Sequence, residues 1–227
     1  MPNWCENELY IFGPDVHRVL EAIKGENKDD VIDFNKIIPM PESLHLISGG
    51  GRDVAIALAQ WRRGDDSGLK EILEWPFVKG NGIASLDDLP QGLLRLYGFT
   101  STSFIEEGGD AKRPLTLEEV IQYGEVYLQN QEKYGAMDWY DWSIENWGTK
   151  WSACHSELEY ERASEAVLGF DTAWSPPIPV VKALGRMFPD HSFCLEYREG
   201  GIGFQGSVVV EGKDCTQRED EYCAEEA

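Results

Sequence analysis

Aromatic side chains form the densest group of residues in this sequence that could take part in chemistry. Four tryptophans lie close together along the chain: Trp139, Trp142, Trp147 and Trp151. Rings grouped in this way can form a stacking platform for bases or nucleotides. Asp138, Asp141 and Glu145 lie beside them and would repel a phosphate unless a metal ion or an arginine intervened. We therefore favour a structural role, in which the rings fill the joint between two parts of the fold.

A glycine-rich segment is a second candidate. Ser48-Gly49-Gly50-Gly51-Arg52-Asp53 precedes a predicted helix. Backbone N–H groups in such a loop, together with the helix N-terminus, could hold an anion with which Arg52 would pair. The segment lacks the Gly-Lys-Ser/Thr ending of a P-loop, so a mobile connector is the favoured alternative. The candidate ligand-binding residues are therefore Arg52, Gly50, Gly51, Trp139, Trp142, Trp147 and Trp151.

Catalytic and metal-binding patterns are weak. Cys154 and His155 are adjacent in a predicted strand, where neighbouring side chains point to opposite faces, so they are not expected to form a nucleophile and its base. His155 and Asp141 remain nominal candidates for an enzyme whose site assembles only in three dimensions. The other histidines are isolated, without zinc-binding spacing, and the acidic pairs lack the pattern of a calcium loop. We predict no catalytic set, no metal and no cofactor.

Charge is the dominant global feature, since 41 acidic residues stand against 20 basic ones and give a formal net charge of -21. Such a field repels nucleic-acid phosphates and anionic membranes and attracts basic partners. The acidity either maintains solubility alone or forms a surface that imitates nucleic acid or captures a basic protein. Direct nucleic-acid binding and membrane binding are not expected. The N-terminus lacks the features of a signal peptide, so we expect a cytoplasmic protein with reduced thiols.

The pattern of elements predicts an α+β fold. Residues 1–25 read as a β–α unit, with a strand at 8–12 and an amphipathic helix at 14–24. Residues 26–150 read as a mostly helical insertion, in which Thr116-Leu117-Glu118-Glu119 is a capping box. Residues 151–210 are predicted to form β–β–α–β with a further edge strand. Residues 211–227 are predicted to be an acidic flexible tail. The order is that of a ferredoxin-like βαββαβ sandwich with a long insertion.

Several phrases of the sequence resemble a known family. They are Met1-Pro2-Asn3-Trp4-Cys5, Gly13-Pro14, Trp147-Gly148-Thr149-Lys150-Trp151, Phe170-Asp171-Thr172-Ala173-Trp174-Ser175-Pro176-Pro177 and Gly201-Ile202-Gly203-Phe204. They are similar to the YubB-type family of phage- and plasmid-borne proteins with a ferredoxin-like domain at the C-terminal end. The resemblance implies an accessory protein of a mobile element in a bacterial host, and it supplies no catalytic residues.

The leading functional hypothesis is a non-enzymatic protein that binds a host factor, a basic or nucleic-acid-binding protein, through an acidic or aromatic surface, as a counter-defence inhibitor. One alternative is a protein that binds or sequesters a small molecule such as a nucleotide signal, using Arg52, the glycine segment and the tryptophans. A second is an enzyme whose site is not visible in the sequence.

Overall fold

The computed structural model describes residues 2–27, 30–100, 103–104 and 113–221. The chain divides into two compact units, which we call the sheet unit (1–40 and 143–227) and the helical unit (41–142). The helical unit is thus shorter than the insertion predicted at 26–150. Residues on both sides of it belong to the sheet unit because their aromatic rings pack there: Phe34 lies edge-on to both Trp147 and Phe170, each with a centroid distance of 6.0 Å.

Within the described residues, the sheet unit contains one six-stranded sheet and three complete helices. Its strands are β1 (Trp4–Phe12), β2 (Cys154–Arg162), β3 (Glu165–Ala173), β4 (Ser192–Glu199), β5 (Phe204–Glu211) and β6 (Asp214–Glu221). Its helices are α1 (Val16–Ile23), α2 (Phe34–Ile37) and α9 (Ile178–Met187). The strands are ordered β2-β3-β1-β4-β5-β6 and every neighbouring pair is antiparallel. The first four strands and the helices α1 and α9 have ferredoxin-like connectivity, which confirms the predicted fold class.

Burial alternates along β1 and defines the two faces of the sheet. Leu9 and Ile11 are fully buried, whereas Glu6 and Glu8 on the same strand are exposed. The buried side lies against the helices: Gly185 of α9 approaches Val210 of β5 so closely that a Cβ there would overlap its side chain. We call the opposite side the open face of the sheet.

The predicted acidic tail differs most from the structure. Residues 214–221 form β6, which pairs along its length with β5 through a two-residue connection, Gly212-Lys213. Gly212 has φ +59°, a conformation that suits the first central position of such a hairpin. All residues of β6 are exposed, so no apolar alternation marks the strand, and its charges protect an edge that could otherwise pair with another chain. Residues 222–227 lie outside the described part of the chain.

The helical unit has a core of its own. Its helices are α3 (Gly50–Arg62), α4 (Ser67–Leu73), α5 (Pro76–Gly80), α6 (Leu89–Tyr97) and α7 (Leu117–Tyr134), with a 3₁₀ turn at Glu42–Leu44. Helix α8 (Trp139–Asn146) begins in this unit. Helices α3 and α7 pack closely, because Gly124 of α7 lies against the carbonyl of Ala55 and leaves no space for a Cβ.

Capping fixes the start of two helices. Thr116 accepts from the backbone N–H of Glu119, and the Glu119 carboxylate accepts from the backbone N–H of Thr116, which confirms the predicted capping box. Asp138 caps α8 by accepting from the backbone N–H groups of Tyr140 (3.0 Å) and Asp141 (3.3 Å). Among the described residues, no helix combines the length and apolar character required to cross a membrane.

Candidate binding face of the sheet

The open face is concave and acidic. A depression of about 690 Å³ lies over it, lined by side chains of all six strands. Its carboxylates come from most of these strands: Glu6, Glu8, Glu157, Glu159, Asp171, Glu196 and Asp220. Arg198, Arg218 and His155 are the basic side chains in the same lining. The alternation of each strand places these polar groups on one side while the apolar residues fill the core.

Strand register brings like charges together on this face. Glu8 of β1 lies directly opposite Glu196 of β4, and Glu6 of β1 lies directly opposite Asp171 of β3. Directly opposed like charges destabilise a sheet. Arg198, which lies opposite Glu6 on the other side, forms an ion pair with it. The open face therefore carries more negative charge than its own basic side chains neutralise.

The negative field also affects the titration of neighbouring groups. The pKa of Tyr10 is raised to about 12, first because its hydroxyl donates a hydrogen bond to Glu8, and further by burial and by the charges of Glu8, Glu196 and Glu159. Burial raises the pKa of the Cys194 thiol, and the charge of Glu196 adds to that shift. Both groups are neutral at pH 7 in any case, and these shifts make their ionisation on an acidic surface still less favourable.

Aromatic rings gather at one end of the sheet. We define the tryptophan cluster as Trp4, Trp151 and Trp174, with ring centroids 6.3 Å apart for Trp4 and Trp151 and 6.5 Å apart for Trp151 and Trp174. The Lys150 ammonium lies 4.5 Å from the ring centroid of Trp151 and 5.4 Å from that of Trp174. These are cation–π distances. The cluster thus already holds one cation.

A histidine connects this cluster to the open face. The His155 ring lies edge-on to Trp4 at 5.3 Å, and His155 Nδ1 is 2.8 Å from a carboxylate oxygen of Asp171. His155 lies where β2 carries one residue more than β3, a bulge that interrupts the alternation of the strand. The expectation that Cys154 and His155 point to opposite faces assumed an unbroken strand.

Unusual backbone conformations occur at the tryptophan cluster and at His155. Only a few non-glycine residues of the described chain have positive φ, and two of them contribute rings here: His155 (φ +49°) and Trp174 (φ +66°). The left-handed region is unfavourable for bulky side chains, and such residues concentrate at functional sites. Trp174 retains 37% of its surface exposed. The local fold thus holds a large apolar ring partly in solvent at the edge of an acidic surface.

The residues predicted to bind a ligand are divided between the two units. In the helical unit, Gly50 and Gly51 are the first residues of α3, and Arg52 follows them. The Arg52 guanidinium donates to Asp138 (2.8 Å) and Asp141 (3.1 Å). Burial alone would lower the pKa of Arg52, but the hydrogen bond and charge of Asp138, with Asp141 and Asp53, raise it overall. Arg52 is therefore surrounded by carboxylates that disfavour an anionic ligand.

The four predicted tryptophans have different environments. Trp139 is half-buried and Trp142 is buried, and both lie on α8. Trp147 is buried in the sheet unit, where its indole N–H donates to the carbonyl of Ile38 (2.9 Å). Trp151 belongs to the tryptophan cluster described above. Trp147 therefore has a structural role, and Trp151 contributes to a surface.

Cys154 does not have the surroundings of an activated nucleophile. Burial raises the pKa of the Cys154 thiol, and Asp171 raises it further, which is the opposite of the change that activates a nucleophile. Within residues 2–27, 30–100, 103–104 and 113–221, no group of three or more His, Cys, Asp or Glu side chains is placed to hold a metal ion.

Sequence reasoning missed the members of this site that are distant in the chain. In the sequence, Trp4 and Trp174 belong only to the family-like phrases, and nothing there marks the acidic side chains of β1 as a site. One signal is present, because Glu6, Glu8 and Tyr10 alternate in β1 with Cys5, Asn7, Leu9 and Ile11, of which all but Asn7 are apolar. Period-two alternation of acidic with apolar residues marks a strand with a polar face.

Comparisons with known proteins gave a family match in the C-terminal part of the chain and one solved structure similar over its whole length. Residues 146–227 match the family model described as "Ferredoxin-like domain in Api92-like protein". Among solved structures, a crystal structure of a protein Api92 from Yersinia pseudotuberculosis matches over 100% of both chains with 14% identity and a TM-score of 0.47. The comparison with curated proteins gave no match.

The phage or plasmid origin implied by the YubB resemblance stays a prediction. The matched segment contains β2 to β6 and α9, whereas β1, which lies between β3 and β4, comes from the N-terminus. In residues 146–227, the chain is similar to the ferredoxin-like domain of Api92-like proteins.

Proposed function

We propose that this protein is a non-enzymatic binding protein that captures a basic host protein on the open face of its sheet, and that it acts as an accessory protein of a phage or plasmid that inhibits a host defence factor. The observation that carries the proposal is the direct opposition of Glu8 and Glu196 on neighbouring strands. A cationic partner would relieve the repulsion that the sheet alone leaves in place.

Shape and charge support a macromolecular partner. The depression extends over all six strands of the sheet. Electrostatic complementarity of this kind increases association rates and selects partners of opposite charge. A phosphate-bearing ligand would meet a surface of its own sign, which favours a basic protein over a nucleic acid.

The test is a binding comparison between variants of equal net charge. The face variant Glu8→Gln/Glu196→Gln removes two charges from the open face. The control variant Glu21→Gln/Glu132→Gln removes two exposed charges elsewhere, one on α1 and one on α7. Binding of a fluorescent oligo-lysine peptide is measured by anisotropy at increasing salt. We expect the face variant to bind more weakly and with a smaller salt slope than the control.

The same variants make a capture experiment informative. Tagged protein is incubated with nuclease-treated bacterial lysate and washed at low and moderate salt. A partner that fits the proposal is basic, is retained by the native protein and the control variant, and is lost from the face variant. Equal binding of peptide and lysate protein by the two variants would overturn the proposal, because general acidity rather than the open face would then be responsible.

The alternatives make different predictions. A nucleotide-binding protein would co-purify with a compound absorbing near 260 nm, and the three carboxylates around Arg52 weigh against that. An enzyme would use the hydrogen-bonded pair His155–Asp171 as base and orienting carboxylate, which is the feature of the open face that favours this alternative.

A further inference from the structure

The tryptophan cluster lies next to the acidic face and already binds a cation of the chain itself. The Lys150 ammonium faces both Trp151 and Trp174. We infer that this is an arginine-binding subsite: a guanidinium group of the basic partner takes the place of the Lys150 ammonium on the Trp174 indole. The inference rests on the proposed function, because it names the side chain that anchors the partner at one end of the open face.

The geometry fits a guanidinium better than an ammonium. The planes of Trp151 and Trp174 differ by 24°, so a flat group can stack on one ring while facing the other. A guanidinium is planar, stacks on aromatic faces and is less strongly hydrated than an ammonium. Trp174 is 37% exposed, so it is accessible to such a group from solvent.

Carboxylates are placed to complete the subsite. Trp4 lies two residues from Glu6 on the same side of β1, and Glu6 is directly opposite Asp171. Two residues along a strand correspond to about 7 Å. An arginine that stacks on the cluster therefore lies beside a strand pair that carries two carboxylates. Asp171 already accepts a hydrogen bond from the His155 ring at 2.8 Å.

The strained backbone supports the same assignment. His155 and Trp174 have positive φ and both contribute rings at this end of the sheet. A fold that only needed to fill its core would bury these rings, yet His155 keeps 67% of its side chain exposed. The unfavourable conformations maintain exposed rings beside acidic residues, as recognition of an arginine requires.

The test compares an oligo-arginine peptide with an oligo-lysine peptide of the same length. The native protein should bind oligo-arginine more tightly, by about two- to fivefold for one cation–π contact. Trp174→Ala should remove this preference and leave oligo-lysine binding unchanged. Trp61→Ala is the matched control, because Trp61 lies on α3 and is 39% exposed, and it should retain the preference.

A second variant makes the test independent of any effect of Trp174→Ala on folding. Lys150→Gln removes the resident cation and leaves all three rings in place. It should increase the affinity for oligo-arginine more than for oligo-lysine. An unchanged ratio in Lys150→Gln, or a preference that survives Trp174→Ala, would overturn the subsite.

The failures of the two proposals are distinguishable. If both peptides bind equally to the native protein and the face variant Glu8→Gln/Glu196→Gln still weakens both, only the arginine subsite is wrong. If the face variant binds both peptides as well as its control does, the proposed function is wrong and the subsite with it.

Discussion

Glu8 of β1 and Glu196 of β4 face each other across neighbouring strands on the open face of the sheet. Two carboxylates in direct opposition repel each other, and neither core packing nor turn geometry requires acidic residues at these exposed positions. The pair therefore lowers the stability of the folded chain, and under the proposed function a cationic partner offsets this cost.

This relationship predicts opposite effects on stability and on binding. Glu196→Gln should raise the free energy of unfolding by roughly 0.2–1 kcal/mol, because it removes the repulsion from Glu8. It should also weaken the binding of an oligo-lysine peptide. Denaturant unfolding and fluorescence anisotropy measure the two effects. Glu21→Gln on α1 is the control and should change neither by a comparable amount. A loss of stability in Glu196→Gln would contradict the interpretation of this pair.

Packing of α3 against α7 predicts a large effect of one methyl group. Gly124→Ala places a Cβ against the carbonyl of Ala55, so it should lower the free energy of unfolding by about 1–3 kcal/mol. Gly80→Ala on α5 is the matched control, since a Cβ at Gly80 has nothing within 4 Å, and it should shift stability by no more than about 0.5 kcal/mol. Similar denaturant midpoints of unfolding for the two variants would contradict the prediction, because α3 and α7 would then accommodate the added methyl group without loss of stability.

The capping box at the start of α7 predicts an acid dependence. The pKa of Glu119 is lowered to about 2, first by the hydrogen bond from Arg113 and then by those from Thr116. A folded-state pKa below the unfolded one gives stability that is present above the unfolded value, 4.5, and is lost as the pH falls towards about 2. The stability difference between native protein and Glu119→Gln should therefore shrink over that range.

Urea unfolding at a series of pH values measures this difference. Glu132→Gln lies on the same helix and serves as the comparison, because it alters the net charge equally without touching the cap. If the difference in the free energy of unfolding between the native protein and Glu119→Gln stays constant from pH 5 to about pH 2, the ionised Glu119 carboxylate does not stabilise the fold.

Burial predicts a graded reactivity of the cysteines. The pKa of Cys5 is raised to about 12, chiefly by burial, so almost no thiolate forms near pH 8. In a Cys223→Ser background, which removes the cysteine outside the described residues, a thiol reagent should modify the exposed Cys215 first. Cys5 should react only after denaturation. Rapid labelling of Cys5 in the folded protein, mapped by mass spectrometry, would mean that β1 opens frequently.

Local signals were sufficient to predict much of the fold. The capping box at Thr116 and the amphipathic helices α1 and α9 depend on interactions within a few residues, so the sequence predicts them correctly. Alternation of apolar and polar residues locates several strands along the chain, and the succession of strands and helices matches the ferredoxin-like connectivity. β6 was missed because a charged edge strand lacks apolar alternation and is stabilised by pairing with β5 instead.

The sequence by itself determined the acidic character, the α+β fold class and most helices, because composition, periodicity and caps are local properties. Only the tertiary structure decided which side chains meet. Strand register opposes Glu8 to Glu196, and the fold brings Trp4 to Trp151 and His155 across more than half of the chain. It also directs Arg52 to carboxylates from a later helix. These contacts join residues that are distant in the chain, so the spacing of residues along the sequence does not predict them.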